Sequence, residues 1–228
     1  MSGEERILRI LITIVVSYLL GSLPTAYIIA RLKNINIFEV GSGNMGGTNV
    51  VRTLGIGWGV FTAAVDIIKG ASAVIISWFI MPDITTPAGW ASATVIAGIV
   101  AVVGHNWSLL ATLLTLTIRN GRIQATIRGG KGAATAFGTL IIIAPTNLVL
   151  AMVAIGGMIV AITRYVSLGV LTAYGVGLGG VIILVAEQKM HPAFIIYAVA
   201  LSALMVIRFR SNIERLLTGK ERRLGERA

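Results

Sequence analysis

The sequence predicts an all-α integral membrane protein with about seven transmembrane helices, the N-terminus outside and the C-terminus cytoplasmic. Three observations predict it. Of the 228 residues, 56% are hydrophobic and only 12% are charged, about half the charged share of a soluble domain. The mean hydropathy is +0.88. The apolar residues also fall in long runs, and each run approaches the roughly 20 residues that span a bilayer core as a helix. These features exclude an ordinary soluble enzyme.

The runs follow in order. Ile7 to Ala30 is interrupted only by Gly21, Ser22, Pro24 and Thr25. It continues without a signal-peptide cleavage site, so it reads as a retained span. Ile56 to Met81 carries Asp66 and Lys69 within it, and Gly89 to Trp107 stays apolar through Leu116. Ala133 to Thr163 is 31 residues with Pro145 near its middle. Proline removes a backbone donor and disfavours helix in the residue before it, so this stretch reads as two short helices. Leu168 to Ala186 and Pro192 to Ile207 complete the set.

Charge decides between one helix and two. The net charge is +10, from 19 Lys and Arg against 9 Asp and Glu. With seven spans, 15 basic residues share one side: Arg31, Lys33, Arg52, Arg119, Arg122, Arg128, Lys131, Arg164 and the seven beyond Ile207. Arg6, Arg9 and Lys189 face the other side. Basic residues favour the cytoplasm, so seven spans is the consistent count. The excess charge is therefore a membrane signature and not a nucleic-acid footprint. The chain forms one polytopic domain, residues 1–228, with residues 208–228 a basic amphipathic tail. Phe209, Ile213, Leu216 and Leu217 share a face of that tail, which suits an interface rich in anionic membrane lipids. The 27 glycines, as in Gly156-Gly157 and from Gly175 to Gly180, are expected to let helices pack closely. Zero cysteines exclude disulfides, thiol nucleophiles and thiolate metal sites. No cofactor and no metal site is expected.

Three cytoplasmic segments hold the chemistry. Gly41-Ser42-Gly43-Asn44-Met45-Gly46-Gly47-Thr48-Asn49, followed by Arg52, combines glycines that expose backbone N–H groups with polar side chains and a forked cation. Arg128-Gly129-Gly130-Lys131-Gly132 runs directly into an apolar helix, whose N-terminus favours anions. It is not a Walker A loop, because Lys131 is followed by glycine. Gly104-His105-Asn106 ends the third span. His191 falls on the opposite side and reads as structural. Asp66 and Lys69 sit three apart, on one helical face, and can pair. An ionisable residue inside a span is by default a functional candidate, and a structural ion pair is equally consistent here.

Taken together, Gly21-Ser22-Leu23-Pro24, the motif from Gly41 to Arg52, Asp66 to Gly70, Gly104-His105, Gly129 to Gly132, and Asn212-Ile213 with Arg215-Leu216 resemble the bacterial membrane glycerol-3-phosphate acyltransferases that use acyl phosphate, the PlsY family. The resemblance runs from about Ser17 to Gly225. It implies a seven-helix enzyme of the bacterial plasma membrane with a cytoplasmic site. The implied partners are glycerol 3-phosphate, acyl phosphate and membrane lipids. The implied reaction moves an acyl chain to the 1-hydroxyl, giving lysophosphatidate and phosphate.

On this reading Ser42, Arg52, His105 and Lys131 are catalytic candidates. Gly43, Asn44, Thr48, Asn49, Lys69, Arg128, Gly129, Gly130, Gly132 and Asn212 are candidates to bind substrate or phosphate. The chain departs from the family pattern at Phe209, where histidine is usual, at Arg128 for lysine, and at Asn36 and Phe38 for Asp and Arg. His105 and Lys131 also stand 26 apart, with an inserted segment, Thr117 to Gln124 within residues 117–127, between them. Two other readings stay open: a transporter, and a catalytically degenerate homologue that binds lipid phosphates.

Overall fold

The computed structural model describes residues 2–81, 85–119 and 122–226. Asn120 and Gly121 of the inserted segment, and Arg227 of the basic tail, lie outside the described residues. Among the described residues ten helices form in order: α1 (Gly3–Ser22), α2 (Thr25–Leu32), α3 (Gly47–Leu54), α4 (Ile56–Ile80), α5 (Pro87–Asn106), α6 (Leu109–Leu114), α7 (Ala133–Ile143), α8 (Thr146–Thr163), α9 (Val166–Ala186) and α10 (Ala193–Leu217). The expectation of an all-α chain needs one small correction. Within the inserted segment, β1 (Thr117–Arg119) and β2 (Arg122–Gln124) pair antiparallel, with Ile118 opposite Ile123.

Six helical stretches among the described residues are long and apolar enough to cross a membrane, counting α1 and α2 together. α7 is apolar but only 11 residues long. The predicted break at Pro145 is present, since α7 ends at Ile143 and α8 starts at Thr146. The first span also breaks, at Leu23-Pro24, where the sequence interrupts the apolar run. Proline cannot continue the hydrogen-bond ladder, so nearby carbonyls need other partners. Ser108 Oγ donates to the Ser22 carbonyl at 2.5 Å, and Lys69 Nζ donates to the Leu23 carbonyl at 2.9 Å. Lys69 in turn pairs with Asp66 at 2.8 Å. The buried ion pair thus completes a broken helix.

Glycines set the helix crossings. A side chain at Gly21 would meet the Ala101 carbonyl, and one at Gly104 the Tyr18 carbonyl, so α1 and α5 pack backbone to backbone. Gly70 and Gly138 do the same for α4 and α7, against Thr135 and Ile67. Not every glycine serves packing. Gly156, Gly177 and Gly180 abut neighbouring helices, whereas Gly157, Gly175 and Gly179 face open space. The larger core includes Val74, Val102, Leu140, Met152, Phe194, Tyr197 and Met205. A smaller one joins Tyr27, Ile37, Met45 and Val50 beneath the first glycine motif.

The basic tail differs most from expectation. Residues 208–217 do not lie apart on a surface but continue α10. Phe209, assigned to a lipid-facing stripe, is buried in the larger core, and Asn212 is buried beside it. Leu217, at the helix end, does stay exposed.

Candidate active site

Two glycine loops and the C-terminal tail meet at one end of the helices. In the first loop Gly41 and Gly43 adopt φ of +61° and +66°, a region that side chains rarely enter. Asn49, from the first turn of α3, holds this loop from inside. Its Oδ1 accepts the Ser42 N–H at 2.8 Å, and its Nδ2 donates to the carbonyls of Asn44 at 3.0 Å and of Ile37 and Val40 at 3.2 Å. The side chain of Asn49 is therefore committed to the loop. α3 follows with Gly46 as its N-cap and no side-chain cap; the Asn49 N–H is taken by the Gly46 carbonyl at 2.9 Å, which leaves the N–H groups of Gly47 and Thr48 for a ligand. Thr48 and Arg52, four apart, project from one face of that helix.

The second loop packs hard against the end of α5, and this explains its glycines. A side chain at Gly129 would meet the Asn106 carbonyl, one at Gly130 would meet His105 Nε2, and one at Gly132 would meet Asn106 Oδ1. The Gly130 N–H donates to the His105 carbonyl at 3.0 Å, and Arg208 of α10 donates two bonds, 2.9 and 2.6 Å, to the Gly130 carbonyl. Gly132, at φ +78°, caps α7 without a side chain. A second uncapped helix N-terminus therefore opens beside the first. Lys131 projects between them, donates to Asn212 Oδ1, and lies 4.8 Å from the centre of the Phe209 ring.

All of this surrounds a cavity of about 830 Å³. Ser42, Asn44, Thr48, Asn49, Arg52, His105, Lys131, Gly132 and Asn212 line it. Five predicted residues do not: Gly43, Lys69, Arg128, Gly129 and Gly130 support the wall from behind. The Gly43 N–H is taken by the Val40 carbonyl, Lys69 serves the α1–α2 break, and the Arg128 guanidinium lies 4.5 Å from the centre of the Phe38 ring. His105 sits deep, its Nδ1 at 3.8 Å from Asp66 Oδ1 and without a hydrogen-bond partner. His191 lies elsewhere and accepts the Ala193 N–H at 3.2 Å, at the start of α10. Among the described residues no cluster of three His, Asp or Glu side chains is placed to hold a metal ion.

Sequence reasoning missed the contribution of the tail. Beyond α10 the chain turns at Gly219 and crosses the cavity, placing Glu221, Arg222, Leu224 and Glu226 in its wall. Glu221 accepts bonds from Ser167 at 2.8 Å, Asn212 at 2.5 Å and Arg215 at 2.7 Å. Leu224 exchanges backbone and side-chain bonds with Arg164, both 2.7 Å. In the sequence Glu221 is one acid among Lys220, Arg222 and Arg223, and nothing marks it out.

Electrostatics follow from this crowding. Burial lowers the Lys131 ammonium to about 8, with Arg215, Arg52 and Arg208 adding to the fall and Glu221 opposing it. Arg52 is lowered by burial and by Arg222. Burial raises Glu221, but its bonds from Asn212, Ser167 and Arg215 outweigh that and hold it below the usual carboxylate range. The site is a cationic pocket in which Glu221 is held as a carboxylate by three donors. Away from this end the wall turns apolar, with Phe137, Met152, Val153, Val170 and Ala173.

Comparison with known proteins agrees with this geometry. The glycerol-3-phosphate acyltransferase family profile matches residues 11–219. A glycerol-3-phosphate acyltransferase of Halalkalibacterium halodurans is 41% identical over 92% of this chain and 93% of its own length. One from Thermus thermophilus is 38% identical over 95% and 96%. The crystal structure of PlsY, an integral membrane glycerol 3-phosphate acyltransferase, in its glycerol 3-phosphate form superposes with a TM-score of 0.76 at 32% identity, covering 95% of this chain and 96% of that one. The lysophosphatidic acid form gives 0.74 at 31% identity. With a profile over most of its length and relatives this similar end to end, the chain belongs to the glycerol-3-phosphate acyltransferase family, as an integral membrane member of the PlsY kind.

Proposed function

We propose that this chain transfers a fatty acyl group from acyl phosphate to the 1-hydroxyl of glycerol 3-phosphate at the cytoplasmic face of the bacterial plasma membrane, releasing lysophosphatidate and phosphate. One observation carries the reading. A single cavity joins a cationic end, formed by two uncapped helix N-termini with Arg52 and Lys131, to an apolar wall between α7, α8 and α9. Both substrates are anionic, so they approach each other only where cations offset their repulsion. Helix N-termini bind phosphate through backbone N–H groups and the helix dipole. The apolar wall suits an acyl chain. The polar side chains of Ser42, Asn44 and Thr48 orient phosphate and hydroxyls.

The 1-hydroxyl oxygen attacks the acyl carbonyl carbon, the bond from that carbon to the bridging phosphate oxygen breaks, and the hydroxyl proton passes to the phosphate. Phosphate is already a good leaving group, so positioning and charge stabilisation supply most of the acceleration. The transporter alternative draws no support from Asp66 and Lys69, which form a buried pair whose lysine completes the α1–α2 break.

The test is purified protein in detergent or lipid with acyl phosphate and glycerol 3-phosphate, following phosphate and lysophosphatidate. Equal release of both supports the reading. Binding of glycerol 3-phosphate with neither product supports the degenerate-homologue reading instead. The His105→Gln variant separates the proton acceptors. With phosphate as acceptor, its turnover falls modestly; a loss of several orders with binding retained would make His105 the base.

A further inference from the structure

We propose that Glu221 is a positioning residue for acyl transfer: by anchoring the Asn212 amide it turns that side chain's oxygen onto Lys131 and holds the lysine ammonium in the cavity. The proposal rests on the acyltransferase reading above. It concerns a segment that begins just past the part of the chain matched by the family profile, residues 11–219.

A primary amide has a donor end and an acceptor end of nearly equal size, and only its partners decide which way it faces. Asn212 is buried between two ionic groups. Its Nδ2 donates to Glu221 Oε1 at 2.5 Å, which leaves Oδ1 for Lys131 Nζ. Without the carboxylate only the ammonium still selects this orientation, so the amide is anchored at one end alone and its hold on Lys131 loosens. Glu221 is itself held on several sides. Ser167 of α9 donates to Oε1 at 2.8 Å, and Arg215 of α10 donates to Oε2 at 2.7 Å. Its side chain is only 6% exposed. The tail carrying it is pinned to the α8–α9 turn through Leu224 and Arg164. Lys131 keeps two of its three donors for a substrate phosphate.

The charges facing Lys131 point the same way. Arg52 of α3 and Arg208 and Arg215 of α10 all disfavour its protonation, and Glu221 favours it. The carboxylate therefore keeps a crowded lysine charged.

The experiment uses full-length wild-type protein, Glu221→Gln and Glu221→Asp, assayed for kcat/KM across about pH 6 to 10. In parallel, labelling of Lys131 by an amine-directed acylating reagent is quantified by peptide mass spectrometry. Wild-type labelling should rise through a pH of about 8. In Glu221→Gln both the labelling midpoint and the alkaline fall of kcat/KM should move down by about one pH unit, the scale of one lost opposite charge. Glu221→Asp should return both toward wild type. Unmoved midpoints in Glu221→Gln overturn the proposal. So does equal impairment of both variants at every pH, which is what loosened tail packing alone would produce. An inactive wild type sinks the acyltransferase reading, and the labelling midpoint then still decides whether Glu221 sets the state of Lys131.

Discussion

Lys131 is the residue on which the site's charge balance turns. Its pKa is lowered to about 8, so it is protonated below that pH and neutral above it. A reaction that needs the ammonium should therefore keep its full kcat/KM on the acid side and lose it as pH rises through about 8. Lys131→Met removes the cation altogether and should lower kcat/KM about 10²–10³-fold, the range for deleting one preorganised charge-stabilising donor. A steady-state pH series on both proteins reads the two effects. Asn49 shows how a polar residue acts without touching substrate. Asn49→Leu strands the Ser42 N–H and the carbonyls of Ile37, Val40 and Asn44. Only the bond to the Ile37 carbonyl is fully buried and the other three groups regain water, so the change should cost about 3 kcal/mol of stability, the upper end for one unmade buried bond, and raise KM for glycerol 3-phosphate. Thermal unfolding and initial rates check it. Ser42, Arg52 and Lys131 were legible in the sequence because they stand inside glycine-rich motifs. Glu221 and Ser167 were not, because each becomes part of the site only when distant segments meet.

At the level of helices, the same divide has a physical cause. The break at Pro145 was legible because charge bias demanded two helices there. The interruption at Pro24 was legible too, but its partners Lys69 and Ser108 were not, because they lie far along the chain and only contact shows that they complete its backbone. The tail misled for a related reason: its period-3.6 apolar stripe is the same whether it faces lipid or another helix, and Phe209 faces the core. Glycine content predicted close helix packing but not which glycines provide it. Gly138 meets the Ile67 carbonyl across the α4–α7 crossing, whereas Gly157 faces open space. Gly138→Val should therefore force α4 and α7 apart and cost about 1–3 kcal/mol or more. Gly157→Val should leave Tm nearly unchanged. A thermal-shift comparison in one detergent distinguishes them, and equal losses would mean that glycine acts here through helix propensity instead of packing.

For the whole molecule, the arrangement of the cavity bears on how the chain crosses the bilayer. Ala133 at the start of α7 and Val166 and Ser167 at the start of α9 line the same cavity. α7 and α8 must therefore run out and back between them, as a hairpin broken at Pro145. The large apolar side chains left outside the bundle, such as Phe79 at 84% exposure and Ile162 at 73%, suit a lipid surround. The orientation expected from the charge bias is one the sequence is well suited to test, because it contains no cysteine. Glu4, Lys33, Glu187 and Lys220 are all exposed, and each can be replaced singly by cysteine without disturbing the cavity. With seven crossings and the basic side inward, Glu4→Cys and Glu187→Cys should react with a membrane-impermeant maleimide in intact cells. Lys33→Cys and Lys220→Cys should react only after permeabilisation. If α7 and α8 together made one crossing, Glu187→Cys would be protected and Lys220→Cys exposed, leaving Lys33 and the tail on opposite sides. The tail could then not reach the cavity it lines, so the labelling pattern tests the topology and the site together.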